Sequence, residues 1–535
     1  MPRIASRLAK LATILSLSAA MLACWHDDDA PPLFTVTVDP TIALNPSGSA
    51  PLTASVSLAT DQPTRAILAI SSSDSAYTVE FLTPVTNHSL PVLGLKANRA
   101  YSIDITLVDE FDRQLALDSP LTVMTDPLPD DMAAIELIHS DPERMEPGFT
   151  LLDRYFKNLS SPGLPWPGAY TVIVDDAAEI VWYSEKGGWP SWMENGGLFY
   201  RGDNNVVEVD LLGNEVSRLP LEYDGVLHHE LRRSRSDTWL SLAREIVTVD
   251  NYPTSYTDPD APTETVQVLD EYPIEFDADG AVLRQWPMTE MIHPQRITYQ
   301  TLEGTYPGGP KDWAHANAVF EDARDNTLLV SLRNQDAIVK FHPETGEIKW
   351  ILGTHDNWPA EFQQYLLQPV GSPFEWFYHQ HAPIYTPSGT ILVYDNGNFR
   401  TSPYSGIEPL KGWENYSRGV EYEIDEDAMT VRQVWEYRGE SGETIFAPAH
   451  GDTDPQPQTG NVLLTHGFVI YTDGGASSGQ GYGQVHSRIV EVTRDATPER
   501  VFDMRISPSE SDTTVLVYRS ERVPSLYSPD VAISY

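Results

Sequence analysis

Histidines recur at one position of a repeating strand pattern. His229, His315, His381 and His450 each stand just before a stretch predicted to be a hydrophobic strand. In a β-propeller the innermost strands line a central channel, so one repeated position converges on one axis. We therefore predict imidazoles in a single small pocket, where they could act as nucleophiles, proton carriers or metal ligands. A repeated residue can also cap a turn, and for His450 the two interpretations are equally supported. His228, beside His229, should point the opposite way on a strand, and the sequence does not decide which faces the channel.

An arginine is predicted to lie beside these histidines. Arg333 directly follows a hydrophobic strand, eighteen residues after His315. A structural interpretation is a salt bridge between blades, whereas a functional one is an anion site made by a fixed guanidinium. Asn317 lies two residues after His315, on the same strand face, and is expected to donate an amide hydrogen bond there.

The charge of the chain limits its partners. It has 77 acidic and 35 basic residues, and its formal net charge is -42. Nucleic acid is excluded as a partner because a phosphate backbone needs a basic face. An anionic substrate would meet long-range repulsion, so any anion site has to be locally cationic.

Short strands separated by turns must position the candidate residues. Similar strand units occur at 237–242, 326–331, 389–394 and 460–465, with closing hairpins that also correspond. Repeated four-stranded units are typical of a propeller, and six blades are predicted. The segment 513–518 is expected to complete the ring.

A different pattern precedes the repeats. Alternating strands from 34 to about 125 predict a β-sandwich of immunoglobulin or fibronectin type, and 126–131 reads as a linker. We predict an all-β protein with a spacer and sandwich domain at 24–127 and a six-bladed catalytic propeller at 128–535. No catalytic constellation is apparent in the sandwich.

The first 23 residues have the pattern of an export signal. Three basic residues precede a short apolar stretch, and the only cysteine, Cys24, stands at the expected cleavage position. This favours a lipoprotein signal over an ordinary signal peptide with an incidental cysteine. Both alternatives place the mature protein outside the cytoplasm. The first predicts a periplasmic protein held at a membrane by its lipid alone. A single cysteine leaves no disulfide.

Several segments together resemble the bacterial aryl-sulfate sulfotransferases, which use a sulfate ester as donor instead of a nucleotide. The resemblance rests on the residues at 312–319, 330–335, 349–353, 380–381, 394–397, 416–422 and 434–437. It implies a β-sandwich before a six-bladed propeller, and a homodimer. The family's best-known members carry a disulfide that this chain cannot form.

The resemblance also assigns roles. His381 corresponds to the transiently sulfurylated histidine, His315 and Arg333 to sulfuryl-binding and oxygen-polarising groups, Asn317 to a neighbour, and His229 to a further channel histidine. His450 is expected to contact substrate.

The expected reaction moves a sulfuryl group from an aryl sulfate to a phenolic acceptor by a ping-pong mechanism, with a sulfohistidine intermediate and no cofactor or metal. Two alternatives remain. One is a metal enzyme that uses the channel histidines as ligands. Against it, no carboxylate accompanies them at ligand spacing, and Arg333 would repel a cation. The other is a non-catalytic binding propeller at the cell surface.

Overall fold

The structure is a computed structural model that describes residues 34–156, 169–185, 190–193, 196–202, 204–472, 475–476, 484–508 and 515–534. Strands dominate throughout, and the predicted all-β class is confirmed. The predicted signal segment 1–23 and Cys24 lie outside the described residues.

The N-terminal region forms a sheet around one long strand. Its strands are β1 (Val36–Leu44), β2 (Ala54–Ser71), β3 (Ala76–Val92), β4 (Ala100–Val108), β5 (Gln114–Ala116) and β6 (Leu121–Met124). The first half of β2 pairs with β1 and the second half with β4, and its pairing with β3 shifts register between Ala59 and Thr64. Val56, Leu68 and Ile70 are buried while their neighbours are more exposed, which is the two-residue period of a strand with one core face.

Six further sheets follow, four of them with four strands, one with five and one with six. The first contains β8 (Phe149–Phe156), β9 (Ala169–Val174) and β10 (Ile180–Ser184). The second contains β11 (Ser191–Met193), β12 (Gly197–Gly202), β13 (Asn205–Asp210) and β14 (Glu215–Pro220). The third contains β15 (Val226–Arg233), β16 (Trp239–Tyr252), β17 (Glu264–Phe276) and β18 (Val282–Gln285). The fourth contains β19 (Ala316–Asp322), β20 (Thr327–Leu332), β21 (Ala337–Phe341) and β22 (Ile348–Gly353). The fifth contains β24 (His381–Tyr385), β25 (Ile391–Asp395), β26 (Arg418–Asp425) and β27 (Thr430–Tyr437), with β23 (Gln368–Pro369) at its edge. The sixth contains β28 (Asp452–Pro455), β29 (Val462–Thr472), β31 (Gln484–Val492) and β32 (Arg500–Ser507), with β30 (Gly475–Ala476) paired to β29 and β7 (Ala134–Ser140) outermost.

Strands from the C-terminal region join the beginning of the fold. β33 (Ser520–Val523) pairs with β8 and supplies the fourth strand of the first sheet. Of the strand predicted at 513–518, residues 513 and 514 lie outside the described residues, and 515–518 precede the paired strand instead of forming it. β34 (Val531–Ser534) pairs with β3 in the N-terminal sheet, although the sequence assigned this segment to the propeller.

The innermost strand of each blade-like sheet positions the site. The first strands of the third to sixth sheets, β15, β19, β24 and β28, contact one another in that order. Helices are few among the described residues: α1 (Met288–Met291) and three short 3-10 helices at Arg333–Gln335, Ala360–Tyr365 and Gly412–Glu414. None of the described helices has the length and apolarity that a membrane span requires.

The N-terminal sheet and the first two propeller sheets share one hydrophobic core. Trp182 and Val209 from the propeller pack in the same buried cluster as Leu68 and Ile103 from the N-terminal sheet. Trp182 also donates its indole N–H to the carbonyl of Leu211 over 2.7 Å. Burial of this apolar surface stabilises the contact between the two regions.

Candidate active site

The innermost strands are distorted where the histidines lie. His229, His315 and His450 have φ values of 55°, 47° and 60°, and in the fifth sheet Ala382, next to His381, has a φ of 44°. The pairing of β15, β19 and β24 shifts register at or next to the same place. A left-handed backbone costs about 1–2 kcal/mol for a residue with a Cβ, so it persists only where the surrounding structure imposes it. These bulges redirect the side chains at the strand entrance.

The structure brings the four predicted histidines together, and three of them contact one tyrosine. The ring centroids of His229 and His315 are 5.1 Å apart. The ring of Tyr518 lies 5.9 Å from His229, 6.3 Å from His381 and 5.3 Å from His450. Tyr518 is the last residue of the strand predicted at 513–518, but no role was predicted for it.

The tautomer of His381 follows from its neighbour Asn396. The side-chain nitrogen of Asn396 donates to the carbonyls of Ala447 and His450, over 2.7 Å in each case. Its oxygen must therefore accept the 2.7 Å hydrogen bond from Nδ1–H of His381. Burial, and then the charge of Arg333, hold the pKa of His381 well below its ordinary value. His381 is therefore neutral, with the lone pair on Nε2.

His315 has the opposite surroundings. Its Nδ1 lies 2.8 Å from Oδ2 of Asp312. Burial lowers the pKa of His315, but the charge and hydrogen bond of Asp312 outweigh this, so that the pKa is raised overall. The imidazolium form is therefore more strongly favoured at His315 than at His381. Asp312 begins the 312–319 segment on which the resemblance rests, but no role was predicted for it.

A second carboxylate lies behind His315. One oxygen of Glu271, one oxygen of Asp312 and one ring nitrogen of His315 lie within 4.8 Å of one another. The expectation that no carboxylate accompanies the histidines at ligand spacing is thus wrong: Asp312 lies three residues before His315, and β17 brings Glu271 from a distant part of the sequence. Its position shows no signal in the sequence.

His229 is the member of the adjacent pair that faces the cluster. His228 turns into the sheet and donates from Nε2 to the carbonyl of Ala243 over 3.2 Å. Its Nδ1 therefore accepts from Nδ1–H of His229, at 2.7 Å. Burial lowers the pKa of His228 to about 3 and, together with the neighbouring histidines, holds that of His229 well below its ordinary value. Both rings are neutral, and Nε2 of His229 can accept a proton.

Arg333 supplies the positive charge of the site. It begins a 3-10 helix directly after β20, and its backbone N–H donates to the carbonyl of His315 over 3.1 Å. Its guanidinium donates to Oε1 of Gln300, Oδ1 of Asn334 and the carbonyl of Pro448 at 2.9, 2.6 and 3.1 Å. Burial lowers its pKa to about 10, which leaves it charged at neutral pH. Within the described residues no carboxylate lies within 4.0 Å of it, so the alternative of a salt bridge between blades is not observed.

Asn317 links the site to the neighbouring sheet. One N–H of its side-chain amide donates to the carbonyl of Gln380 over 2.7 Å, and a hydrogen bond from its second N–H to substrate stays a prediction. Gln380 in turn donates to the hydroxyl of Ser331 and to the carbonyl of Ala337, at 3.1 and 2.9 Å. These bonds fix the residue before His381 against the neighbouring sheet.

A cavity of about 360 Å³ extends from the cluster along the inner strands. Its lining includes His229 and Tyr518 together with Trp192, Asp452 and Asp454. Burial is the largest cause that raises the pKa of Asp454, to about 7. The lining of this cavity combines such carboxyl groups with the guanidinium groups of Arg232, Arg233 and Arg519.

Several histidines that the sequence left unassigned have structural partners. Nδ1 of His379 lies 3.0 Å from Asp336, and Nδ1 of His466 lies 2.7 Å from the hydroxyl of Tyr394. Neither is among the histidines whose rings contact Tyr518.

Comparison with known proteins identifies the relationship. The arylsulfotransferase (ASST) family matches residues 134–519, and the arylsulfotransferase Ig-like domain matches residues 41–126. The chain belongs to the arylsulfotransferase family. The second match gives the immunoglobulin-like type that was predicted for the N-terminal region.

Two curated relatives of the arylsulfotransferase family are similar to parts of the chain. The arylsulfate sulfotransferase AssT of Escherichia coli O6:H1 is 26% identical over 42% of this chain and 44% of its own length. The arylsulfate sulfotransferase AssT of Lelliottia amnigena is 30% identical over 34% of this chain and 37% of its own. The match thus spans less than half of each relative. Among solved structures, a Bacteroides caccae protein of unknown function covers 71% of this chain and 95% of its own, with 12% identity and a TM-score of 0.35.

Proposed function

We propose that this protein is an aryl-sulfate sulfotransferase that works by a ping-pong mechanism through a sulfohistidine at His381. The observation that carries the proposal is the fixed tautomer of His381: Asn396 holds the proton on Nδ1 and leaves the Nε2 lone pair available. Membership of the arylsulfotransferase family supports the reaction class.

The first half-reaction sulfurylates the enzyme. Nε2 of His381 attacks sulfur, an N–S bond forms, and the S–O bond to the aryl oxygen breaks with its electron pair on the departing phenolate. His315, held protonated by Asp312, gives its proton to that oxygen. Sulfuryl transfer, like phosphoryl transfer, spreads charge over peripheral oxygens in a loose transition state, and Arg333 stabilises that charge.

The second half-reaction regenerates the enzyme. The acceptor phenol gives its proton to neutral His315 or His229, and its oxygen attacks sulfur while the N–S bond breaks back onto Nε2 of His381. The acceptor leaves as its sulfate ester. When His315 takes the proton, the starting state returns directly, which balances the cycle without a cofactor.

The aryl group has an aromatic surface near Arg333. The rings of Tyr299 and Phe399 stack 4.8 Å apart, and both are half-buried. Gln300, which follows Tyr299, accepts a hydrogen bond from Arg333. A phenyl ring placed here would leave its sulfate beside the guanidinium.

Mass spectrometry after incubation with 4-nitrophenyl sulfate, without acceptor, tests the proposal. We expect a burst of nitrophenol of one equivalent or less per chain, and a sulfuryl adduct on the peptide that contains His381. His381→Ala should fold and give neither, whereas His342→Ala, outside the cluster, should give both. An adduct on another residue, or wild-type turnover by His381→Ala, would overturn the assignment.

The two alternatives are tested separately. Retention of activity after exhaustive chelation would exclude the metal enzyme, which now has to be considered because Glu271 and Asp312 approach His315. The burst itself would exclude a non-catalytic binding propeller.

We also propose that Cys24 is lipidated and anchors a periplasmic enzyme, and that the enzyme is a homodimer. The position of the only cysteine after a short apolar stretch supports the anchor. Release of the Cys24→Ser protein into the soluble periplasmic fraction, with the wild type in the membrane fraction, is the expected result. Sedimentation of the released protein would give its oligomeric state.

A further inference from the structure

The two carboxylates behind His315 lie close together, with Glu271 buried and Asp312 partly exposed. Glu271 is 2% exposed and lies on β17, and Asp312 precedes β19. Within the described part of the chain, no lysine or arginine nitrogen lies within 4.0 Å of either carboxylate. Imidazoles are their nearest basic groups: His315 at 2.8 Å from Asp312, and Nε2 of His228 at 3.8 Å from Glu271.

Two carboxylates this close, one of them buried, cannot both ionise cheaply, so the buried one tends to hold a proton. Asp312 has the short hydrogen bond to His315 and takes the charge. Burial, and then the charge of Asp312, raise the pKa of Glu271, so Glu271 keeps the proton at neutral pH. Glu271 is thus an ionisable group that lies next to His315, the proposed acid.

The groups that face this pair are few. Glu271 faces Asp312, His315 and His228, and the exposed Arg244 acts on it from β16 through its charge. Asp312 faces His315 and experiences the charge of Arg333. Because Arg333 favours loss of the proton from His315, the carboxylates are the groups that oppose it.

We propose that Glu271 is a positioning residue that extends the pH range of the proposed acid: it loses its proton as the pH rises and thereby adds a negative charge that keeps His315 protonated. The catalytic meaning of this inference rests on the proposed function. The sign follows from the geometry. At lower pH neutral Glu271 adds little to the charge of Asp312, whereas ionised Glu271 stabilises the imidazolium form of His315.

The test compares Glu271→Gln with the wild type and with Glu275→Gln, a matched change on the same strand outside the cluster. The pKa of His315 is read by NMR of ring-labelled histidine in the resting enzyme, with a His315→Gln spectrum for assignment. We expect the pKa in Glu271→Gln to fall by about half a unit or more, and that in Glu275→Gln to stay unchanged. The alkaline limb of kcat/KM for an aryl sulfate should move to lower pH by the same amount. Below neutral pH, kcat/KM should stay within about two-fold of the wild type.

Three outcomes would overturn the inference. One is an unchanged His315 titration in a folded Glu271→Gln protein, with folding checked by circular dichroism and Tm. Another is an equal loss of activity at every pH, which indicates a packing role. The third is activity that chelation abolishes and Mn²⁺ or Zn²⁺ restores, since the pair would then hold a metal. The NMR measurement needs no substrate. A lowered pKa of His315 in Glu271→Gln, found together with a wild-type protein that transfers no sulfuryl group, would therefore reject only the proposed function.

Discussion

Two walls of the channel each carry a histidine, and the pKa values of these two histidines are shifted in opposite directions. On the wall made by β24 and β25, His381 meets the neutral amide of Asn396. On the wall made by β17 and the segment before β19, His315 meets the carboxylate of Asp312, with Glu271 behind it. The pKa of His381 is lowered, and that of His315 is raised.

The difference shows that the partner at Nδ1, more than the histidine itself, assigns the role. Desolvation favours the neutral form at both positions, and only the carboxylate reverses that tendency. Each pKa unit corresponds to about 1.4 kcal/mol, so a single ionic hydrogen bond is enough for the reversal. One wall thus supplies a nucleophile and the other an acid.

Exchange of the amide for a carboxylate should break the contrast most severely. In Asn396→Asp, a negative partner raises the pKa of His381 and protonates the nucleophile. We expect a loss of about 10³-fold in kcat/KM at pH 7, with partial recovery as the pH rises above the new pKa. Asn396→Ala is the control, because it frees the tautomer without adding charge and should not recover with pH. Equal pH profiles for both variants would contradict the explanation.

Loss of the charge that both walls share should have the next largest effect. Arg333→Gln should reduce kcat/KM for an aryl sulfate by roughly 10²- to 10³-fold, because developing charge on the sulfuryl oxygens loses its fixed donor. Arg333→Lys should restore only part of the rate, since an ammonium lacks the planar fork. A burst rate in Arg333→Gln equal to that of the wild type would show that Arg333 does not contact the reacting group.

The reciprocal exchange on the acid wall sharpens the comparison. Asp312→Asn should let His315 become neutral and cost about 10–10² in the donor half-reaction for phenols that leave poorly. For 4-nitrophenyl sulfate, whose phenolate needs little protonation, the loss should be much smaller. A series of aryl sulfates of graded leaving-group pKa measures the difference. A loss independent of the leaving group would mean that Asp312 supports structure only.

The smallest change concerns the ring between the two walls. The hydroxyl of Tyr518 donates a long hydrogen bond of 3.3 Å to the carbonyl of Asn317. Tyr518→Phe keeps the ring contacts with the histidines, so we expect less than about five-fold loss in kcat/KM and about 1 kcal/mol or less in the free energy of unfolding. Tyr518→Ala removes the ring and should be much more damaging. A large effect of the Phe variant would point to a direct role of the hydroxyl.

Repetition explains what the sequence could predict. Strand units that share one sequence pattern predicted six sheets. Histidines at equivalent positions in those units predicted the convergence of His229, His315, His381 and His450. The alternating pattern before them predicted an N-terminal β-domain. Each of these predictions depends on a periodic pattern that can be read along the sequence itself.

Contacts between blades explain which features of the site the sequence analysis did not predict. Glu271 reaches His315 from another sheet, and no spacing rule connects two residues 44 positions apart. The sequence also did not show that Asn317 donates to the carbonyl of Gln380 across the blade boundary. Asn396 lies in a segment that the resemblance included, yet its effect on the tautomer required the positions of Ala447 and His450.

The late strands β33 and β34 impose an order of events on the making of the protein. Both pair with segments synthesised several hundred residues earlier, and Tyr518 arrives with them. During translation, the early strands of the first sheet and of the N-terminal sheet therefore have unpaired edges until the C-terminal strands are made, and such edges favour aggregation. A chaperone that shields those edges would protect the nascent chain, and a ribosome that stalls before residue 515 would yield a product without its assembled centre.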